Sequence, residues 1–275
     1  MRKLILVEGL PGSGKTTTAQ LIADQYKEKD YDVRLFLEGN TRHPADYDAV
    51  SYFTSKEFEH FIGQYSSLAR QIEQHAEERP DGMIVRWAHL KQDIGDQFEL
   101  VRDELLPRDI YELPLDLHME LMVDSYERFV DQAMVEDALY IFECCFIQNP
   151  VTIGLIKYDA TEEVITSYVE RLAKIIERLD PLLIYVEQDD IRKSFTKAFH
   201  ERPKEWAEGF VNYYNNQGYG KTIGAEGYEG TLSVLQTRSD LENRIFEQLP
   251  MEKLRINNSA FNMNGIKETL KKILD

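Results

Sequence analysis

Only two cysteines occur in 275 residues, and they are neighbours, Cys144 and Cys145. Adjacent thiols cannot staple distant parts of a fold, so a disulfide framework is excluded and both read as small core residues. Positive charge is also scarce. With 32 Lys and Arg against 49 Asp and Glu, the net charge is −17, and no basic stripe stands out. A polyanion must be met by lysines and arginines, so nucleic acid and anionic membrane surfaces are poor partners. No apolar run approaches the roughly 20 residues of a membrane span. Met1-Arg2-Lys3 leads directly into the first motif with no signal peptide, and the expected location is cytoplasmic. Internal repeats and low-complexity tracts are absent too. A chain of this length folds as one large domain or two small ones.

What is present begins at once. Leu4 to Val7 is a short apolar run that reads as a buried strand, and a helical pattern runs from Lys15 to about Lys29. Between them, Gly9, Gly14, Lys15 and Thr16 fit G-x-x-x-x-G-K-[ST], with the flanking strand and helix in order. Glycines allow consecutive backbone N–H groups to turn around an anion, and the helix start adds unpaired donors. Gly12, Ser13, Gly14, Lys15, Thr16 and Thr17 are therefore the expected triphosphate cradle. Lys15 supplies charge to the β- and γ-phosphates, and the Thr16 hydroxyl is a ligand for Mg²⁺.

Further along, Tyr31 to Leu37 reads as a second strand ending at Glu38. Ligands of open α/β sheets sit outside the carboxyl ends of strands, so Glu38 is a candidate general base. A solvated loop carboxylate is the plainer alternative. His43 before Pro44 reads as a turn residue with a lesser claim on substrate. Residues 45–137 break the strand–helix alternation and read as a helical insertion. Thr54 and Glu57 form a capping box there, with the helix ending at Arg79-Pro80-Asp81-Gly82. Further helices are expected over about 92–106 and 114–134. Trp87, Tyr111 and Tyr126 could line a substrate pocket, though core packing suits each as well.

Ala138 to Phe146 is the strongest strand signal after the first, and Glu143 is its one charge. A lone carboxylate in such a strand suits the Mg²⁺ shell. Glu187, at the end of a fourth strand over 182–186, is the rival. Gln148 and Asn149 could offer neutral hydrogen bonds to substrate. Over 190–230 a lid is expected: Arg192, Lys193, Lys197, Arg202 and Lys204 form the densest basic cluster, and a glycine-rich loop from Gly218 to Gly230 follows. Arg192, Lys193 and Lys197 would clamp the moving phosphoryl group. A fifth strand is expected over 254–257. Asn258 in the loop after it would meet the nucleotide's base.

The stretch Val7 to Thr17, with acidic residues ending the second and third strands and a basic helix after the fourth, resembles the thymidylate and deoxynucleoside kinases. These belong to the nucleotide-kinase branch of P-loop proteins. The resemblance implies a three-layer α/β fold with a five-stranded parallel sheet ordered 2-3-1-4-5. By it, Glu38 matches the base, Glu143 the acidic residue of a Glu-Arg-Ser motif, and Arg192 with Lys193 the lid. Cys144 stands where that motif has arginine, and the insertion lacks the family's base-recognition residues.

The expectation is a kinase using ATP and Mg²⁺ to phosphorylate a small hydroxyl-bearing molecule such as a nucleoside, nucleotide, sugar or antibiotic. A homodimer is compatible with it. The alternative is an NTP-hydrolysing switch whose insertion binds a protein. The sequence leaves open the acceptor, ATP against GTP, and which of Glu38 and Glu143 is the base.

Overall fold

The computed structural model describes residues 2–274; Met1 and Asp275 lie outside the described residues. Chain contacts divide it into two units, residues 1–38 with 126–275 and residues 39–125. The first unit opens with β1 (Leu4–Glu8), α1 (Lys15–Lys27) and β2 (Val33–Phe36).

The second unit holds β3 (Ser51–Thr54), α2 (Ser55–Gln64), α3 (Ala69–Gln74), β4 (Ala76–Arg79), β5 (Gly82–Val85), α4 (Trp87–Ile94) and α5 (Phe98–Leu105). From there α6 (Leu115–Val135) begins in this unit, and its residues from Tyr126 onward belong to the first. The insertion is thus not wholly helical. β3, β5 and β4 form an antiparallel three-stranded sheet in that order. Each strand has four residues, too short for a period-two pattern to emerge from its surroundings. Arg79-Pro80-Asp81-Gly82, read as a helix end, is instead the connection of the β4–β5 hairpin. The Thr54–Glu57 capping box is present, but its helix ends at Gln64. The helix expected over 92–106 is split into α4 and α5 by a 3₁₀ turn at Gly95–Gln97. Phe53, Phe61, Ile72, Leu90, Phe98 and Val101 build this unit's own core. His43 is buried here, its Nδ1 accepting the Ala45 N–H at 3.1 Å, and burial pushes its pKa down to about 3.

The first unit resumes with β6 (Leu139–Glu143), α7 (Gln148–Val151) continued by a π-helical turn over Thr152–Lys157, α8 (Glu162–Ile176) and β7 (Leu182–Glu187). Next come α9 (Ile191–Glu201), α10 (Lys204–Asn215), α11 (Gly218–Thr222), α12 (Gly227–Gln248), β8 (Glu252–Asn257) and α13 (Met263–Leu274). Five strands form one all-parallel sheet ordered β2-β6-β1-β7-β8. Counted along the whole chain, that order differs from the expected 2-3-1-4-5 because the insertion's three strands intervene. Within the sheet alone, its members stand second, third, first, fourth and fifth. Every residue of β1 and β6 is buried, as central parallel strands require. Ile5, Val7, Ile141, Ile184 and Val186 pack with Ala19 and Ile22 of α1 and Leu270 of α13.

The glycine-rich stretch over 218–230 is not one loop but α11, a short connection over 223–226 and the start of α12. Gly218, Gly220 and Gly230 serve close packing. A Cβ on Gly220 would lie 1.9 Å from the Tyr214 carbonyl oxygen of α10, a distance no side chain tolerates. Gly209 on α10 has nothing within 4 Å of an added Cβ. Gly220→Ala should therefore cost about 1–3 kcal/mol or more in urea unfolding. Gly209→Ala should gain about 0.5–1 kcal/mol by removing a helix-interior glycine. Equal midpoints for the two variants would refute the assignment.

Candidate active site

The site is built where β1 meets α1. Val7 pairs with Glu143 in the parallel register of β1 and β6, so both strand ends reach the same edge of the sheet. Between Glu8 and Lys15 the chain turns through glycines, and Gly14 shows why nothing larger serves. Its φ is +100°, and a Cβ there would sit 2.4 Å from the Asn258 amide nitrogen. The Ser13 Oγ is buried and has no hydrogen-bond partner among the described residues. α1 begins directly at Lys15, so its first N–H groups lack intrahelical acceptors.

Lys15 is only 5% exposed, and its Nζ donates to the Leu10 carbonyl at 3.1 Å. Burial alone would weaken its charge, but neighbouring acidic groups, the Cys144 thiol and the Glu38 and Glu143 carboxylates, overcome this and raise its pKa. Burial also pushes the Cys144 thiol well up, so it stays protonated and the two carboxylates sustain the ammonium. The Thr16 hydroxyl donates to Glu143 Oε1 at 2.6 Å, and the Glu38 backbone N–H donates to Glu143 Oε2 at 3.3 Å. Glu143 is thereby fixed at both oxygens. Glu38 is held in turn: Gln148 Nε2 donates to its Oε1 at 3.1 Å, and the Cys144 thiol lies 3.5 Å from its Oε2. Ligand atoms of Glu38, Glu143 and Cys144 all lie within 4.8 Å of one another. Cys144 itself adopts φ +73°, which turns the chain away at the end of β6.

A cavity of about 290 Å³ opens beside these groups. Pro11, Gly12 and Gly14 to Thr17 line it, together with Glu38, Glu143 and, from α9 and α10, Lys197, Glu201, Arg202, Trp206 and Phe210. Of the three cations expected to act together, only Lys197 lines the cavity. Arg192 forms a bidentate pair with Glu229 at 2.6 and 2.7 Å, and Lys193 is exposed near the capped start of α9. Asn258 commits its amide to the Ser13 carbonyl at 2.7 Å and so braces the loop. Glu187 pairs with Arg255 at 3.3 Å, leaving Glu143 as the carboxylate at Thr16. In the second unit, Trp87 donates to Asp109 at 2.7 Å and the Tyr111 hydroxyl to Asp46 at 2.5 Å, while Tyr126 of the first unit bonds the Cys145 carbonyl at 3.0 Å. Sequence reasoning passed over Trp206 and Phe210. Their spacing of four, continued by Tyr214, was the available signal.

No family model matches the chain, and no curated protein matches it. Among solved structures it is similar to thymidylate kinase from Ehrlichia chaffeensis, with 12% identity and a TM-score of 0.47 over 99% of this chain and 98% of that one. What the fold and site define is an α/β protein with a five-stranded parallel sheet and a glycine-rich strand-to-helix turn that faces two carboxylates. No helix among the described residues is long and apolar enough to cross a membrane.

Behind the turn, Glu8 is fully buried and accepts the backbone N–H groups of Phe146 at 2.9 Å and Gln148 at 2.8 Å. Burial, working against those donors, pushes its pKa up to about 7 from 4.5. The folded carboxyl then keeps a proton that the unfolded one releases, so stability falls as pH rises from 4.5 to about 7. Wild type should lose about 3 kcal/mol relative to Glu8→Gln across that window, beyond a constant offset from the altered hydrogen bonds. Parallel pH–stability curves from urea unfolding would contradict it.

Proposed function

We propose that this chain is a kinase that uses ATP and Mg²⁺ to phosphorylate a hydroxyl on a small molecule. The observation that carries the reading is the 2.6 Å bond from Thr16 to Glu143 at the mouth of a glycine cradle, with Glu38 lining the same cavity. The cradle suits a polyphosphate on its own chemistry. A buried Ser13 hydroxyl lacks a partner among the described residues, a buried ammonium is kept charged, and a Cβ at Gly14 would collide with Asn258.

The loop amides, Ser13, Lys15 and Thr17 would hold the triphosphate, and Thr16 with Glu143 would hold Mg²⁺, which offsets phosphate charge when bound. Glu38 accepts the proton of the acceptor hydroxyl, its carboxylate oriented by Gln148 and Cys144. Lys197 and Arg202 add positive charge from α9 and its carboxyl end as the phosphoryl group moves. α9 then serves as a lid in which Arg192 braces the helix against α12 and does not touch phosphate.

The test is acceptor-dependent ADP release over a panel of nucleosides, sugars and aminoglycosides. ATP hydrolysis should be slow alone and faster with one acceptor class. Lys15→Ala should lower the rate by about 10³-fold or more. Glu38→Gln should lower kcat by about 10²–10⁴-fold while leaving affinity for a non-hydrolysable ATP analogue unchanged. Full turnover by Glu38→Gln would remove that residue from the mechanism. Nucleotide-dependent conformational change with no acceptor in the whole panel would favour a switch.

A further inference from the structure

β6 ends in a carboxylate followed by a thiol, and both stand beside a second carboxylate from just beyond β2. Ligand atoms of Glu38, Glu143 and Cys144 lie within 4.8 Å of one another. The Cys144 Sγ is 3.5 Å from Glu38 Oε2. Zinc bonds of about 2.3 Å to sulfur and about 2.1 Å to oxygen, opened to the tetrahedral angle, set S and O about 3.6 Å apart. This pair already stands at the spacing of two ligands on one tetrahedral ion. Mg²⁺ takes hard oxygen donors and has no use for a thiol, whereas zinc accepts thiolate and carboxylate together.

A second observation points to the same cluster. Gln148 is 5% exposed and donates Nε2 to Glu38 Oε1 at 3.1 Å, while its own Oε1 has no partner among the described residues. A buried carbonyl oxygen without a partner is costly. This one belongs to a carboxamide that already touches a member of the cluster, and a half-turn of the amide exchanges Nε2 for Oε1 at the same place. An oxygen there suits a cation beside Glu38. The four side chains together offer one sulfur and three oxygens. Cys144 is 1% exposed, but Glu38 and Glu143 in front of it line the cavity of about 290 Å³, through which an ion reaches them.

The geometry points to a site for a thiophilic divalent cation such as Zn²⁺ on Cys144, Glu38 and Glu143, with Gln148 Oε1 completing the shell. On binding, the S–H bond breaks, its proton leaves to water, and the sulfur's electron pair forms the bond to the ion. One thiolate and two carboxylates then offset the charges of the ion and of the Lys15 ammonium beside them. In the proposed kinase Glu38 is the base and Glu143 the Mg²⁺ ligand, so zinc held by both stops turnover. That consequence rests on the kinase reading; the binding does not. An arginine after Glu143, as in the kinases the loop resembles, would remove the sulfur and place a cation there. Cys144 is what creates the site.

The full chain, free of nucleotide, is titrated with Zn²⁺ by calorimetry and with Co²⁺ by absorption. Co²⁺ reports thiolate ligation through a sulfur-to-cobalt charge-transfer band in the near ultraviolet. One tight ion should bind per chain with that band, and Zn²⁺ should erase it. Cys144→Ser should remove the band and weaken Zn²⁺ by more than the roughly 10–100-fold that loss of a supporting residue costs. Cys145→Ser should change neither. Absence of tight Zn²⁺ binding, Co²⁺ bound to wild type without the band, or a band that survives Cys144→Ser overturns the site; the wild-type spectrum decides even if a variant does not fold. In the acceptor assay, the Zn²⁺ concentration that halves ADP release should rise in Cys144→Ser by the factor that its affinity falls. Turnover that persists with the ion bound overturns the inhibition. The band without any acceptor-dependent turnover sinks the kinase reading and leaves the site standing, and turnover without the band does the reverse.

Discussion

The register of β1 against β6 is the constraint from which the site follows. With Val7 opposite Glu143, the loop after one strand and the carboxylate ending the other arrive at one edge, and Thr16 in the first turn of α1 reaches Glu143. Slipping a strand by one residue would turn Glu143 to the other face of the sheet. The consequences propagate through hydrogen bonds and not through bulk. Cys144 N–H bonds the Val7 carbonyl, its left-handed φ turns the chain, and Glu8 then receives the N–H groups of Phe146 and Gln148. That fixes α7, from which Gln148 holds Glu38. Three carboxylates, Glu8, Glu143 and Glu38, are positioned in sequence by one strand pairing.

Concentrating acidic groups this way carries an electrostatic cost, and the structure meets it with few cations. Lys15 stands among the carboxylates of the site. Deeper, Arg238 pairs with Glu242, which also accepts the Tyr185 hydroxyl at 2.7 Å, and Arg238 in turn bonds Tyr214. Burial holds the Tyr185 hydroxyl well above its ordinary pKa, and the neighbouring Glu242 reinforces it. Buried ion pairs of this kind contribute little net stability, because desolvation cancels most of the attraction. Removing one partner is what becomes severe. The network therefore holds Tyr214, and through it the aromatic stack of α10, in one arrangement.

Much of this was legible in the chain itself. The glycine-rich turn, the carboxylates at 38 and 143 and the five core strands all announce themselves through apolar runs of the right length with one misplaced charge. What was not legible depended on partners distant in sequence. Arg192 and Lys197 belong to one basic cluster in the sequence, and only Glu229, 37 residues on, draws Arg192 away. Gly218 to Gly230 read as a loop because glycine disfavours helix. Here the requirement is close approach of α11 to α10, which no local pattern encodes. The small antiparallel sheet escaped notice because four-residue strands lie below the length at which alternation can be distinguished from chance.

The departure at Cys144 then acquires a physical meaning. In the kinases that the loop resembles, an arginine follows the acidic residue; here a protonated thiol faces Glu38 instead. A neutral neighbour at that position adds no second cation beside the Lys15 ammonium, whose charge Glu38 helps to sustain. For the kinase we propose, positive charge for the phosphoryl group must come from elsewhere, and the cavity's other cations beside Lys15 are Lys197 and Arg202. Both sit on or at the end of α9, where Lys197 pairs with Glu201 and Arg202 lies on Trp206. On this account the charge missing from β6 stands on α9 and at its carboxyl end.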